Sequence, residues 1–261
     1  MKNKSNYINS LEMKLALKFL AIFFICIKSF SQENSFPSPR SIIKKIDFNM
    51  ISKTQIITSE MIVYGKRKSR TIKSKGYSEG VNKNFTEYLY PEREKGTKML
   101  KLDDRLWIYS PSTDRIIQLS GHLLRQSLMG SDLSYEDMME ERKLSEIYEA
   151  KIVGEDKIED RSVWKMELTA KVDDINYFKR IIWADKERFV PLREELYAKS
   201  GELLKRISFF DIKKTEGRWF PRKMNYKDVL KNGKGTDFII NEVRFNVAIP
   251  VEYFLKSTLK E

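Results

Sequence analysis

From about Thr54 onward, apolar and polar residues alternate with a period of two. Trp164, Met166 and Leu168 alternate with Lys165 and Glu167, and Leu203, Ile207 and Phe209 fall on one side of the run 203–212. Residues 70–77 alternate in the same way. Successive side chains of a strand point to opposite faces, so this pattern predicts strands with one buried and one wet face. Turn signals punctuate the runs at Glu159-Asp160-Arg161, Lys199-Ser200-Gly201-Glu202, Glu216-Gly217-Arg218 and Lys231-Asn232-Gly233-Lys234. The count comes to roughly eleven to thirteen strands, about eleven of them clear, in one antiparallel sheet, a mainly β (α+β) fold. A twisted sheet that wide curls rather than staying flat.

The alternation is interrupted once, in the stretch 93–139. Three short apolar runs, Met99–Leu102, Leu106–Tyr109 and Ile116–Leu119, are separated by Asp103-Asp104-Arg105 and by Ser110-Pro111-Ser112-Thr113-Asp114. They read as a β-meander. The pattern then changes: Leu124 and Leu128 are four apart, which suits a helical turn, and Gly130 can end it. Ser134 with Asp137 three residues on resembles a capping box that opens a second helix running to about Ser145. On that helix Glu136, Asp137, Glu140 and Glu141 are expected to form the solvated side. One more helix is predicted over Ser41–Asn49, where Ile42, Ile43 and Ile46 share a face. So little helix cannot cover so wide a sheet completely. The expectation is an open half-barrel closed by short helices acting as a lid, with an apolar cavity between them.

Residues 1–31 stand apart. Lys14 and Lys18 precede nine apolar residues, Phe19 to Ile27, and Ser29-Phe30-Ser31 offers small residues for a signal peptidase. The segment is read as a cleavable signal peptide, with Met1 or Met13 as its start. Residues 32–52 then form a leader and the amphipathic helix, and residues 53–261 a single β-clam domain. The apolar core is shorter than the ~20 residues of a spanning helix. Cys26, the one cysteine, sits after bulky Ile25 and leaves with the peptide, so no disulfide is expected in the mature chain. Lys2, Lys4, Lys14, Lys18 and Lys28 leave with it, as does Glu12, and the formal charge falls from +12 to +8. Export argues against nucleic acid as the partner of that charge. An anionic membrane surface or an acidic protein suits it better, and a dispersed solubilising surface better still, because Lys and Arg alternate with Glu and Asp throughout.

Candidate chemistry is sparse. His122, the one histidine, cannot hold zinc without further ligands, and no GxSxG elbow accompanies it. Glu194 and Glu195 are adjacent on a strand and face opposite ways, so they cannot serve one glycosidase-type site. No phosphate-cradling GxGxxG or GxxxxGK[ST] motif occurs. No enzyme activity, metal or cofactor is expected. What remains is an excess of methionine and aromatic side chains in the strands and flap. Unbranched Met repacks readily, which suits a pocket that must accept flexible chains.

The run KGTKMLKLDDRLWIYSPSTDRIIQLSGHLLRQSLMGSDLSYEDM, residues 95–138, resembles the outer-membrane lipoprotein-sorting family, the LolA-like periplasmic carriers. Met129-Gly130-Ser131-Asp132 is its most specific piece. Similar pieces continue at Trp183–Lys186, Pro191–Glu195, Gly201–Lys205 and Ala248–Pro250. The resemblance implies a curled antiparallel sheet over an apolar cavity for acyl chains, in the periplasm of a Gram-negative bacterium. The cargo implied is an acylated lipoprotein or lipid, taken from an inner-membrane transporter or releasing complex with transient membrane contact. The alternative is an accessory protein of an inner-membrane exporter, of ABC or resistance-nodulation-division type, carrying no cargo. The residues expected to line the cavity and lid are Leu100, Leu102, Trp107, Tyr109, Leu124, Leu128, Met129, Met138, Trp164, Met166, Leu168, Trp183 and Phe209.

Overall fold

The computed structural model describes residues 37–65 and 67–261. The export segment expected at 1–31, including Cys26, lies outside the described residues. A first helix, α1 (Pro39–Met50), is followed by six strands: β1 (Thr54–Tyr64), β2 (Ser69–Glu79), β3 (Lys83–Tyr90), β4 (Lys98–Leu102), β5 (Arg105–Ser110) and β6 (Arg115–Leu119). Two 3-10 turns, Gly121–Arg125 and Leu128–Gly130, and two short helices, α2 (Tyr135–Met139) and α3 (Leu144–Ile147), come next. Seven strands complete the sheet: β7 (Tyr148–Ile158), β8 (Arg161–Ala170), β9 (Lys179–Asp185), β10 (Pro191–Tyr197), β11 (Leu203–Thr215), β12 (Arg218–Asp228) and β13 (Thr236–Phe245).

All the strands belong to one antiparallel sheet in the order β6-β5-β4-β3-β2-β1-β13-β12-β11-β10-β9-β8-β7. The count among the described residues is thirteen, the upper end of the range expected from the alternation, with about eleven strands clear in the sequence. Some strands conceal themselves because both their faces are buried: Ile181 to Asp185 in β9 are all buried, so no period of two marks them.

This order explains where the lid must lie. The chain winds outward from β1 to β6, then reappears at the opposite edge as β7 and winds back to β13 beside β1. The connection from β6 to β7, residues 120–147, therefore has to pass from one edge of the sheet to the other. It crosses the concave face. Ser127, Leu128 and Leu133 hold it in a tight loop, with the Leu128 N–H donating to the Leu133 carbonyl at 2.8 Å.

Helix α1 begins where Ser38 caps it, the side-chain oxygen accepting from the Ser41 N–H at 3.2 Å, and Pro39 suits its first turn. Ile42, Ile43 and Ile46 are fully buried against Trp164, Met166, Leu168 and Ile182 on the concave face of β8 and β9. On the convex face the C-terminal residues, with Phe254 and Leu259 buried, pack on Tyr77, Phe85, Leu100 and Trp107. Helix α2 starts at the capping box read in the sequence, the Ser134 hydroxyl accepting from the Asp137 N–H and Asp137 from the Ser134 N–H. It stops at Met139 instead of continuing to Ser145. Glu140 leaves helical geometry at φ −86° and ψ 91°, and Asp137, Glu140 and Glu141 pair with Lys205, Arg142 and Lys101. They do not form a solvated helix side.

Candidate functional site

Two chambers open between the concave sheet face and the residues that cross it. The first, about 270 Å³, lies against α1 and is lined by Met50, Leu196, Ile207, Phe209 and Met224 together with many charged side chains. The second, about 240 Å³, lies under the lid and is lined chiefly by Ile57, Met61, Ile72, Tyr88, Leu128, Leu133, Met138 and Phe238. Asp137, Glu141 and Tyr226 belong to both walls, so the chambers adjoin. Together they reach the size of small-molecule pockets, roughly 300–1,000 Å³.

The second chamber is the apolar space that the alternation implies. Met61, Ile72, Met99 and Leu106 come up from the strands, Leu128 and Leu133 come down from the lid, and Leu124, Met129 and Met138 pack around them. Met129 adopts a left-handed φ of 48° at the tip of the lid, followed by Gly130 at 72°. The Arg70 guanidinium donates to the Met129 carbonyl, tying that tip to β2.

The first chamber sets charged groups among its apolar walls. Arg180 on β9 donates to the Tyr148 hydroxyl at 3.0 Å and pairs with Glu194 on β10 at 3.4 Å. Lys205 on β11 pairs with Asp137 of α2, whose other carboxylate oxygen accepts from the Tyr177 hydroxyl at 2.5 Å. Lys101 on β4 pairs with Glu141 at 2.9 Å, and Arg142 with Glu140 at 2.6 Å. Asp47 of α1 accepts from the backbone N–H groups of Leu144 and Ser145 at 2.9 and 3.0 Å. An apolar cavity throughout was the expectation. The structure divides it into one greasy chamber and one whose apolar walls also carry ion pairs, here called the ionic chamber, side by side.

Protonation follows from this geometry. Burial pushes the Glu194 carboxyl above the ordinary carboxylate range despite Arg180, and it pushes Glu141 up despite Lys101 and Asn84. Burial acts on Asp137 as well, but the Lys205 charge, with hydrogen bonds from Lys205, Ser134 and Tyr177, holds it below that range. A carboxyl raised by folding contributes stability that is lost as pH rises from its unfolded value, ~4.3, through its folded one. A depressed carboxyl contributes stability that is lost as pH falls through its folded value. Thermal stability followed by circular dichroism is therefore expected to peak near pH ~5 and decline toward neutrality. Glu141→Gln should flatten that decline. A steady rise to pH ~7 in the unmodified protein would contradict the assignment.

The residues expected to line the cavity are distributed unevenly. Leu128 and Met138 line the second chamber and Phe209 the first. Leu124 and Met129 pack into the lid cluster. Trp164, Met166 and Leu168 face the concave side but are filled in by α1. Leu100, Leu102, Trp107 and Tyr109 lie on the convex face under the C-terminal residues, and Trp183 lies there too, with Val163, Ile181, Val190 and Leu192. The phase was ambiguous because both faces of these strands are apolar. His122 is exposed in the first 3-10 turn. Glu194 and Glu195 do face opposite ways, Glu195 meeting Arg206 at 3.2 Å on the convex side.

The charged residues of the first chamber carried a signal in the sequence. Lys205 is in phase with Ile207 and Phe209, Glu194 with Leu196, Arg180 with Ile182, and Lys101 with Met99. A charge on the apolar phase of a strand is costly unless it is partnered inside, so each was a pointer to a buried pair.

A family model described as "Uncharacterized protein" matches residues 80–261. No curated protein matches the chain in sequence. Among solved structures, a DUF1329 family protein from Desulfovibrio piger superposes with a TM-score of 0.76 at 24% identity, covering 85% of this chain and 97% of its own. A putative outer membrane lipoprotein-sorting protein domain from Vibrio parahaemolyticus gives 0.73 at 24%, covering 85% and 98%. A LolA superfamily protein from Nitrosomonas europaea gives 0.72 at 21%, covering 85% and 100%. At these identities the likeness is one of fold.

Proposed function

This chain belongs to the family whose model matches residues 80–261 and has a LolA-like fold, and from that premise we propose that it is a periplasmic carrier without catalytic activity. It takes up the acyl chains of a lipoprotein or lipid and moves them from the inner toward the outer membrane. The observation that carries this reading is the second chamber: an apolar space of about 240 Å³ whose roof, Leu128, Leu133 and Met138, belongs to a segment that is part of no strand. Burying hydrocarbon there is worth ~0.8 kcal/mol per CH₂, so a chain binds usefully without strong polar contacts.

The lid is fastened by polar groups at its flanks. Asp132 accepts from the Thr236 hydroxyl at 2.9 Å and from the Asp228 N–H at 3.0 Å, and Lys231 donates to the Ser131 carbonyl at 2.9 Å. Water can replace such bonds to charged groups at a net cost of about 1.5–3 kcal/mol each, a total that a bound chain of several CH₂ groups offsets, so they suit a roof that opens and closes.

The lid tip lies beside a basic rim. β1 pairs with β13, Val63 opposite Thr236, which brings the β1–β2 turn and the β12–β13 turn to the same end of the sheet. Arg67, Lys68 and Arg70 on one turn, and Lys231 and Lys234 on the other, are exposed, and Leu230 between them is 68% exposed. This rim is where the carrier would touch an anionic membrane, each cation contributing ~1 kcal/mol near the surface.

Two measurements test the reading. Native mass spectrometry of protein purified from cells is expected to show co-purifying lipid or lipoprotein. A bare protein that instead retains an inner-membrane exporter would favour the accessory role. In flotation assays the protein should bind vesicles containing anionic phospholipid and not purely zwitterionic ones. Arg67→Glu/Lys68→Glu/Lys234→Glu should release it. Equal binding to both vesicle types would remove the rim from the mechanism.

A further inference from the structure

The ionic chamber has a property that the carrier reading does not use. Each of its cations is matched by a carboxylate, but its hydrogen-bonding capacity is not used up. Asp47, Asp137, Glu140, Glu141 and Glu194 face it or its border with the second chamber. Against these carboxylates stand Arg142, Arg180, Lys205 and, through its bond to Glu141, Lys101. Every one of these cations is paired, so no net positive charge is offered to a ligand.

Donors nevertheless remain. The Tyr226 hydroxyl has a single polar contact, the Met224 sulfur at 3.6 Å, which is a weak acceptor. Burial pushes this phenol above its ordinary value, so it keeps its proton. Arg180 spends its Nε on Tyr148 and its Nη1 on Glu194, and Lys205 gives one bond, to Asp137. A guanidinium has five N–H groups and an ammonium three, so both have donors to spare. Tyr226 stands in the wall shared by the two chambers.

We propose that this border is a head-group subsite that reads the carbonyl of an acyl ester or amide and rejects a free fatty acid. The inference rests on the carrier reading and narrows its cargo. A carbonyl oxygen accepts from Tyr226 and the spare N–H groups and brings no charge. Its hydrocarbon then runs into the second chamber between Met61, Ile72 and Phe238. A carboxylate would bring a further negative charge into a space whose cations are all already paired. A long-chain amine would bring donors to a site whose unmet need is acceptors.

The test is a displacement titration at pH 8 with N-phenyl-1-naphthylamine, a neutral apolar fluorophore, as the bound probe. The competitors share one chain length: monopalmitoylglycerol, N-methylpalmitamide, palmitate and hexadecylamine. The ester and the amide are expected to displace the probe at about tenfold lower concentration than palmitate or the amine. In Tyr226→Phe that gap should narrow about five- to tenfold, each competitor being read against the probe's own dissociation constant in that variant. Probe binding with palmitate or hexadecylamine competing as well as the ester would overturn the subsite and leave the carrier standing, as would an unchanged gap in Tyr226→Phe. Failure of the unmodified protein to bind the probe would overturn the carrier reading and the subsite with it.

Discussion

Replacing Glu194 by alanine is expected to destabilise the protein by about 3–5 kcal/mol. The side chains of Glu194 and Arg180 are only 7% and 13% exposed, and they meet at 3.4 Å on adjacent strands. Removing the carboxylate leaves a guanidinium in the chamber floor with the Tyr148 hydroxyl, the faces of Tyr148 and Tyr177 and the weaker field of Glu140 for company. The cost is that of the stranded charge, not the net worth of the pair. A buried ion pair loses nearly as much in desolvation as it gains in attraction. The double variant Arg180→Met/Glu194→Met should therefore recover most of the lost stability in urea unfolding. If Glu194→Ala costs less than ~1 kcal/mol, Arg180 has access to water and the floor is not the dry environment described above.

The second large effect is functional. Leu128→Glu is expected to lower uptake of a neutral apolar fluorophore more than tenfold, with the far-ultraviolet β signal unchanged. Leu128 is 3% exposed and points into a chamber walled by Asp137 and Glu141 but by no Lys or Arg. A third carboxylate there has no partner. It must either take up a proton or pull the lid outward into water, and each outcome spoils the roof. The strands do not depend on it, because Leu128 belongs to a 3-10 turn in the crossing segment. Leu128→Met, which keeps the volume, should bind as the unmodified protein does. Met129→Glu, half-buried at the lid tip, should have a smaller effect. Undiminished uptake by Leu128→Glu would mean that the hydrocarbon goes elsewhere.

Much of this architecture is written locally. The period of two in β8 and β11 marks their wet and dry faces, the isoleucines of α1 mark its docking stripe, and Ser134 with Asp137 marks the start of α2. Each depends on residues within a turn or two of one another, and physical chemistry at that range is carried by the sequence. Leu106–Tyr109 shows where this ends. All four residues are apolar, so nothing in the run says that Leu106 and Ile108 face the lid while Trp107 and Tyr109 face Phe254 and Leu259. That choice was made by a C-terminal segment some 150 residues away.

By itself, then, the sequence determined that the chain would be a wide one-sheeted β structure with too little helix to fill its concave side. It also determined that the break between β6 and β7 would be short, helical and capped. Only the tertiary structure decided which apolar phase faces the chamber, and that the acids of the lid region would turn in to meet Lys205, Lys101 and Arg142. The reason is that alternation is a property of neighbours along a strand. Pairing across the sheet and beneath the lid is set by the strand order, which places β6 and β7 at opposite edges and so sends residues 120–147 across the concave face.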